Sequence, residues 1–259
     1  MNCTISSIHY CPVKSISFQS IQSCNIIKNI GIVNDRIFAF SRSVDLEKAK
    51  LIEKNPNERK LNNFLTLKNT PVLNKYNFNY KDNNLTLKHN DKEIITILAN
   101  DLEQRSLLSK KLMDLENSLI KPITLLKNSE FPFFDTTNSN IVFNSMSLIN
   151  LNSIKEFEKK INEKVEFQRF RANFYVDGID AWEEQNWIGK IIKINNVSFK
   201  VQKNIPRCVA INLKPKTDNN SLNLLQSLKT TYDHFDMGIY LTALENSRLN
   251  VGSKVELNQ

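Results

Sequence analysis

The N-terminal part of the chain contains four short segments in which polar and apolar residues alternate, CTISSIHY, SISFQSI, CNIIKNI and RIFAFSR. Alternation of period two places successive side chains on opposite faces of an extended chain and is typical of half-buried β-strands. Farther along, FLTLKNTPVL has the same character, and NFNYKDNNLTLKHNDKEIITIL indicates hairpins with turns at 82–84 and 90–91. A chain that begins in this way is constrained to a fold rich in β-structure.

Three later segments have helical periodicity instead. The apolar stripe of ANDLEQRSLLSKKLMDLENSL predicts a helix capped by Asn100 or Asp101, and SLNLLQSLKTTY predicts a short helix. In SMSLINLNSIKEFEKKIN we expect Ser145 or Ser147 at a helix N-terminus, where free backbone N–H groups favour an anion. Together the patterns predict an α+β fold dominated by antiparallel β-structure, divided into domains 1–98 and 99–259.

The net charge of +8 over 259 residues raises the question of a nucleic-acid partner. Lysines are scattered through segments that are also rich in Asn, Ile and Asp, and no long basic run or aromatic–glycine motif of RNA-binding proteins occurs. A compositional bias over a solvated surface explains the charge better than a binding face. The sequence therefore predicts no nucleic-acid partner.

The four cysteines, Cys3, Cys11, Cys24 and Cys208, show no CxxC spacing. This arrangement predicts neither a zinc site nor a disulfide framework, and it fits a reducing cytoplasm. The N-terminus lacks a basic region followed by an apolar one, and no stretch approaches the roughly 18 apolar residues of a membrane span. We therefore expect a cytoplasmic protein without a membrane span.

The segment 169–213 combines anion donors with an isolated thiol. Alternation in VEFQRFRANFYVDG predicts a strand with Arg169, Arg171 and Asn173 on one face. Cys208 follows Arg207, and a neighbouring positive charge favours the thiolate, which is a soft metal ligand. The alternative interpretation is that Cys208 is one more small buried apolar residue, since free cysteines are often buried.

A second group of donors lies near the N-terminus. Lys14 and Ser15 follow Pro12 at a predicted strand-to-turn junction, and Arg36 follows Asp35 after a break in the strand pattern. An ammonium, a hydroxyl and a guanidinium group suit a phosphate or a polar heterocycle. The alternatives are a solvated Lys–Ser pair on a loop and a local Asp–Arg ion pair that contributes little.

The motifs RFRAN, VDG, AW.E..W.G, PRC..INL.P.T, GIYL and VGSKVEL, in this order, resemble the MOSC domain, named for the C-terminal part of molybdenum cofactor sulfurases. Upstream, PVKS and GIVNDR resemble the β-barrel domain that precedes MOSC in the amidoxime-reducing family. The resemblance reaches from Pro12 to Leu257 and implies an N-terminal β-barrel followed by a barrel-like MOSC domain with a few short helices. One departure is Cys11, which stands where the family usually has an aromatic residue.

The resemblance also implies a site for a molybdenum cofactor of the molybdopterin type. Cys208 would be the catalytic residue and the protein ligand of molybdenum. A pyridoxal phosphate site belongs to the desulfurase part of the sulfurases and is not expected in this chain. The residues expected to contact the molybdenum cofactor are Lys14, Ser15, Arg36, Ser145, Ser147, Arg171, Asn173 and Arg207.

Three functions follow from these expectations. The first is an oxidoreductase that reduces N-hydroxylated or other N- or S-oxygenated small molecules; because the chain shows no iron–sulfur cysteines, a separate reductase, ferredoxin or cytochrome would supply electrons. The second is a carrier that delivers the cofactor, or sulfur as a persulfide on Cys208, to another enzyme. The third is a basic binding protein with a degenerate site, which the scattered charge disfavours.

Overall fold

The computed structural model describes residues 3–16, 18–134 and 146–257. These parts of the chain contain four α-helices, α1 (Leu46–Lys54), α2 (Leu102–Leu115), α3 (Leu151–Ile161) and α4 (Leu224–Tyr232). The strands are β1 (Thr4–Tyr10), β2 (Gln19–Ile21), β3 (Ser23–Ile27), β4 (Gly31–Ile32), β5 (Phe38–Arg42), β6 (Tyr76–Lys81), β7 (Asn84–His89), β8 (Lys92–Leu98), β9 (Ile123–Lys127), β10 (Met146–Asn150), β11 (Phe174–Asp177), β12 (Ile191–Ile194), β13 (Val197–Pro206), β14 (Asp236–Ala243), β15 (Ser247–Asn250) and β16 (Val255–Leu257).

The largest sheet has eight strands in the order β16-β12-β13-β14-β10-β11-β1-β2. Its pairs are antiparallel except β10 and β11, which run parallel and are joined through α3. Strands β1 and β2 come from the beginning of the chain, yet β1 pairs with β11. The predicted division at residue 98 stays a prediction, and strands from both sides of it share this sheet.

Successive side chains of the central strands point to opposite faces of the large sheet, and both faces are apolar. In β10, Leu148 packs into a core shared with the smaller sheet β15-β3-β4, whereas the next residue, Ile149, packs against α3 and α4. Strand β11 repeats this division with Phe174 and Tyr175. The central strands are therefore covered on both faces, and only their ends lead to the surface.

A second core fills the remaining part of the fold. Strand β5 pairs with β9, and β6, β7 and β8 form a meander with the two predicted turns. The buried residues Phe40, Phe78 and Leu87 pack with Leu108 and Leu112 of α2. Asp101 caps this helix as predicted, because its carboxylate accepts a hydrogen bond from the Glu103 N–H at 2.8 Å.

The predicted α+β class, mainly antiparallel, is confirmed. The expected barrels are not: in the described residues no sheet closes on itself. Nor does any helix in the described ranges combine the length and the apolar character that crossing a bilayer requires.

Candidate functional site

The segment before β11 does not form the predicted strand. Phe167–Phe170 is a 3-10 helix, and Arg171 follows in the left-handed region with φ 52°. Regular extended structure begins only at Phe174. The alternation of the sequence is broken because Arg171 turns the chain, so Arg169, Arg171 and Asn173 do not share a strand face.

Arg169 is buried and ties this turn to the segment that follows Cys208. Its Nε donates to the Glu166 carboxylate at 2.7 Å, and its Nη1 donates to the Asn212 carbonyl oxygen at 2.7 Å. Charge-assisted hydrogen bonds of this kind are among the stronger polar contacts in a protein. Arg169 therefore positions the two chain segments relative to each other.

Asn173 is fully buried and its side-chain amide bonds within the protein. Its Nδ2 donates to the His9 carbonyl oxygen and to the Asp35 carboxylate, each at 3.1 Å. Its Oδ1 accepts from the Ser147 N–H and hydroxyl groups, also at 3.1 Å. Asn173 thus connects β1, β10 and the turn before β5, three segments far apart in the sequence.

Asp35 has no exposed surface and lies at the centre of this network. Its carboxylate accepts from the Cys11 N–H at 2.7 Å, from the Asn173 amide, and from Arg36 Nη1. Burial raises the pKa of Asp35 above its ordinary value, while Arg36 and the hydrogen bonds act against that rise. The pair Asp35–Arg36 is therefore no isolated surface pair but part of a buried network.

Arg36 and Arg171 share one aromatic neighbour. Their guanidinium carbons lie 5.2 and 4.8 Å from the centroid of the Phe18 ring. The guanidinium carbon of Arg36 also lies 5.4 Å from the centroid of the Phe134 ring. Both arginines have positive φ values, 55° and 52°. Two guanidinium groups thus lie against one aromatic ring, and the Asp35 carboxylate pairs with one of them, Arg36.

The predicted donors Lys14 and Ser15 lie in a tight turn after β1. Lys14 is buried, and its ammonium group donates to the Phe133 carbonyl oxygen at 3.1 Å and lies 5.7 Å from the Phe64 ring centroid. Ser15 has a positive φ of 63°.

Cys11, which replaces the family's aromatic residue, is buried, and its Sγ lies 2.7 Å from the Ile16 carbonyl oxygen of the same turn. The buried Cys11 thiol thus packs beneath this turn, where the family usually has an aromatic side chain.

Contrary to the prediction, Ser147 does not lie at a helix N-terminus. It lies buried in β10, where its hydroxyl accepts from the Asn173 N–H at 2.9 Å. Helix α3 is capped by Asn150, whose side-chain oxygen accepts from the Asn152 N–H at 3.0 Å. The prediction was wrong because β10 runs directly into the helix. Ser145 lies outside the described residues.

Cys208 is exposed, whereas Cys3, Cys11 and Cys24 are buried. The alternative interpretation of Cys208 as a buried apolar residue is therefore wrong. Cys208 follows the end of β13 and begins a 3-10 helix, Val209–Asn212. The thiol is thus open to a ligand or reactant at the start of that helix.

Arg207 fixes the backbone beside Cys208. Its Nε donates to the Met237 carbonyl oxygen at 2.8 Å, its Nη1 donates to the Phe170 carbonyl oxygen at 2.7 Å, and its backbone N–H donates to the Phe235 carbonyl oxygen at 2.9 Å. Burial lowers the pKa of the Arg207 guanidinium. Because these donors serve backbone carbonyls, Arg207 holds Cys208 in place through the main chain.

A cavity of about 730 Å³ opens beside these residues. Its walls include His9, Phe18 and Arg171 from the network side, Lys88 from the β6–β7 hairpin, and Ala210 and Leu213 from the segment that follows Cys208. Lys14, Ser15, Arg36 and Cys208 are not among its lining residues. The volume is that of a small-molecule or cofactor site.

His9 supplies a titratable group to the cavity wall that the sequence analysis did not single out. Its ring stands edge-on to Tyr175, 5.4 Å between centroids, and Nε2 lies 3.1 Å from the Ser7 hydroxyl. Burial lowers the pKa of His9 from 6.5 to about 4. The imidazole is therefore neutral at pH 7.

We expect His9 to make the protein less stable in mild acid. The unfolded chain binds the proton with a pKa near 6.5 and the folded chain only near 4, so stability falls as the pH drops between these values. From pH 7 to 4.5 the loss amounts to about 2 kcal/mol, which His9→Gln should remove. Urea unfolding at several pH values measures it, and equal pH slopes in both proteins would contradict the prediction.

In the described ranges, no three His, Cys, Asp or Glu side chains lie close enough together to bind a metal ion by themselves. An exposed single thiol, two residues before Ala210 in the wall of a cavity with several cationic side chains, instead fits an organic cofactor that brings its own metal ligands and an anionic group. The donor set is compatible with a cofactor of that type.

The fold and the site define a mixed α+β protein with an exposed cysteine, a buried Asp–Asn–Arg network, and a cavity lined in part by the segment that follows the cysteine. Residues 139–256 match the family model of the MOSC domain, so this part of the chain is similar to that domain. The predicted resemblance is confirmed for this domain. MOSC domains are associated with the molybdenum cofactor.

Among curated proteins the chain is similar to mitochondrial amidoxime reducing component 2 of Rattus norvegicus, 28% identical over 142 residues. The match covers 50% of this chain and 39% of the rat protein. Among solved structures, the YUAD protein from Bacillus subtilis covers 99% of this chain and 96% of its own, with a TM-score of 0.48 and 10% identity. YiiM from Geobacillus stearothermophilus covers 44% of this chain and 54% of its own, with a TM-score of 0.35 and 13% identity.

Proposed function

We propose that this chain binds a molybdenum cofactor and reduces N-hydroxylated or other N- or S-oxygenated small molecules with electrons from a separate protein. The observation that carries the proposal is the exposure of Cys208, at the start of the segment whose Ala210 and Leu213 line the cavity. The MOSC domain and the likeness to an amidoxime reducing component support it.

In this proposal Cys208 is the protein ligand of molybdenum and the catalytic residue. Arg36 and Arg171, which share the Phe18 ring, supply positive charge for the anionic part of the cofactor. When bound, the cofactor supplies the two-electron redox chemistry. The remaining predicted contacts among the described residues support the site from the turn after β1, from the buried network and from the position before Cys208; they are Lys14, Ser15, Ser147, Asn173 and Arg207. Ser145 stays a predicted contact.

The reaction balances with an external donor. An amidoxime takes up two electrons and two protons, its N–O bond breaks, and an amidine and water leave. The side chains that line the cavity, the neutral His9 ring among them, do not supply electrons, so a redox protein such as a reductase, ferredoxin or cytochrome is the expected partner.

The same exposed thiol also favours a second candidate, a carrier of the cofactor or of persulfide sulfur. The test is the purified protein from a host that makes the cofactor, measured for molybdenum and pterin and assayed for benzamidoxime reduction with a chemical electron donor. Stoichiometric metal with turnover supports the oxidoreductase. Metal-loaded protein without turnover, or a persulfide on Cys208, contradicts it and favours the carrier.

A further inference from the structure

One wall of the cavity is the polar face of the β6–β7 hairpin. Asn77 stands directly opposite Lys88 in the antiparallel ladder, so their side chains lie on the same face. Their neighbours Phe78 and Leu87 are buried in the second core. The ladder therefore places Lys88 and Asn77 together on one face of the hairpin, and both line the cavity, as does Phe78 at the edge of the second core.

The opposite wall comes from the second half of the chain and is held against the hairpin side. Asn74 Nδ2 donates to the Lys214 carbonyl oxygen at 2.8 Å and to that of Thr217 at 2.5 Å. Lys216 also lies 3.5 Å from the Asp91 carboxylate, in the turn between β7 and β8. The loop after Cys208 is thus fastened across the cavity to the hairpin region.

The charges on these walls do not cancel. Five lining side chains are cationic and two, Asp91 and Glu166, are anionic. Glu166 pairs with Arg169 at 2.7 Å and lies 4.0 Å from Lys214, and Asp91 pairs with Lys216. Within the described parts of the chain, no carboxylate forms an ion pair with Lys88. The cavity therefore carries an uncompensated positive charge on its hairpin wall.

We propose, resting on the function proposed above, that the cavity selects small molecules that carry a carboxylate or a similar anionic group, and that Lys88 recognises this group. Lys88 lies outside the motifs that predict cofactor contacts, which supply Arg36 and Arg171 for the cofactor. Two anions could still use the same ammonium group, the carboxylate of a substrate and the phosphate of the cofactor. Both are bound by the same chemistry, and the experiment separates them.

The experiment compares uncharged benzamidoxime with 4-carboxybenzamidoxime on the full, cofactor-loaded chain. We expect the wild type to have the higher kcat/KM for the carboxylated compound. In Lys88→Gln the ratio of the two kcat/KM values should fall by about tenfold, because a charge-assisted contact is lost. Lys81→Gln is the matched control, since Lys81 is an exposed residue of the same hairpin that does not line the cavity.

Calorimetry measures the affinity of the protein for both compounds and does not require that either compound is reduced. If neither compound is reduced, the proposed function fails, while tighter binding of the carboxylated compound that disappears in Lys88→Gln still supports the anion site. Equal affinity of the wild type for both compounds overturns it. Loss of molybdenum and pterin from Lys88→Gln, but not from Lys81→Gln, also overturns it, because Lys88 would then hold the cofactor's phosphate.

Discussion

Cys208→Ala is expected to lose the molybdenum cofactor and, with it, more than about 100-fold of any reductase activity. In the proposed site Cys208 is the single protein ligand of the metal, so its removal takes away the attachment of the metal to the chain. This should cost more than the roughly 10- to 100-fold typical of residues around a ligand. The fold should be unaffected, because Cys208 is exposed and Arg207 holds its backbone independently. Metal analysis of the purified variant gives the result directly.

The matched control for this variant is Cys24→Ala. Cys24 is buried in the core between the two sheets, and burial raises the pKa of its thiol to about 12, so it is inert. Its replacement should cost about 1 kcal/mol of stability and leave the cofactor in place. If Cys208→Ala retained stoichiometric metal and pterin, the assignment of Cys208 as the ligand would be wrong.

Asp35→Ala is expected to destabilise the protein by about 3 kcal/mol. The change removes one acceptor from each of three groups, the Cys11 N–H, the Asn173 amide and the Arg36 guanidinium, and two of these groups are fully buried. Urea unfolding of the wild type and the variant measures the difference. Asp218→Ala, at an exposed position, should stay within about 0.5 kcal/mol of the wild type.

Asp35→Asn separates the charge from the hydrogen bonds. Asparagine keeps an oxygen that can accept from the Cys11 N–H but lacks the charge that faces Arg36. We expect it to lose less stability than alanine and still to weaken cofactor retention, because Arg36 is no longer oriented. Equal stability and retention in Asp35→Asn and the wild type would show that the carboxylate charge has no part in the site.

Local patterns predicted the elements whose causes are local. The turns of the β6–β8 meander could be predicted from turn-forming residues between alternating segments. The start of α2 could be predicted from Asp101, whose short side chain accepts a hydrogen bond from the first turn of the helix. These features depend on residues a few positions apart. They could be predicted because no distant contact was needed to decide them.

The parts that failed depend on distant contacts. Alternation before β11 indicated a strand, but Arg171 turns the chain there, and Arg169 is held by Asn212 on a later segment. The role of Asp35 depends on Asn173, 138 positions away. No window of the sequence contains both partners, so a pair of adjacent residues, Asp35 and Arg36, looked like an ordinary surface ion pair.

The place of β1 in the large sheet has a consequence for synthesis on the ribosome. Strand β1 pairs with β2 at once, but its other neighbour is β11, which is made more than 160 residues later. Contacts of such long sequence separation slow folding, and the first strand keeps an unpaired edge until its partner emerges. We therefore expect the nascent N-terminal half to depend on chaperones, or on rapid elongation, until β11 has left the exit tunnel.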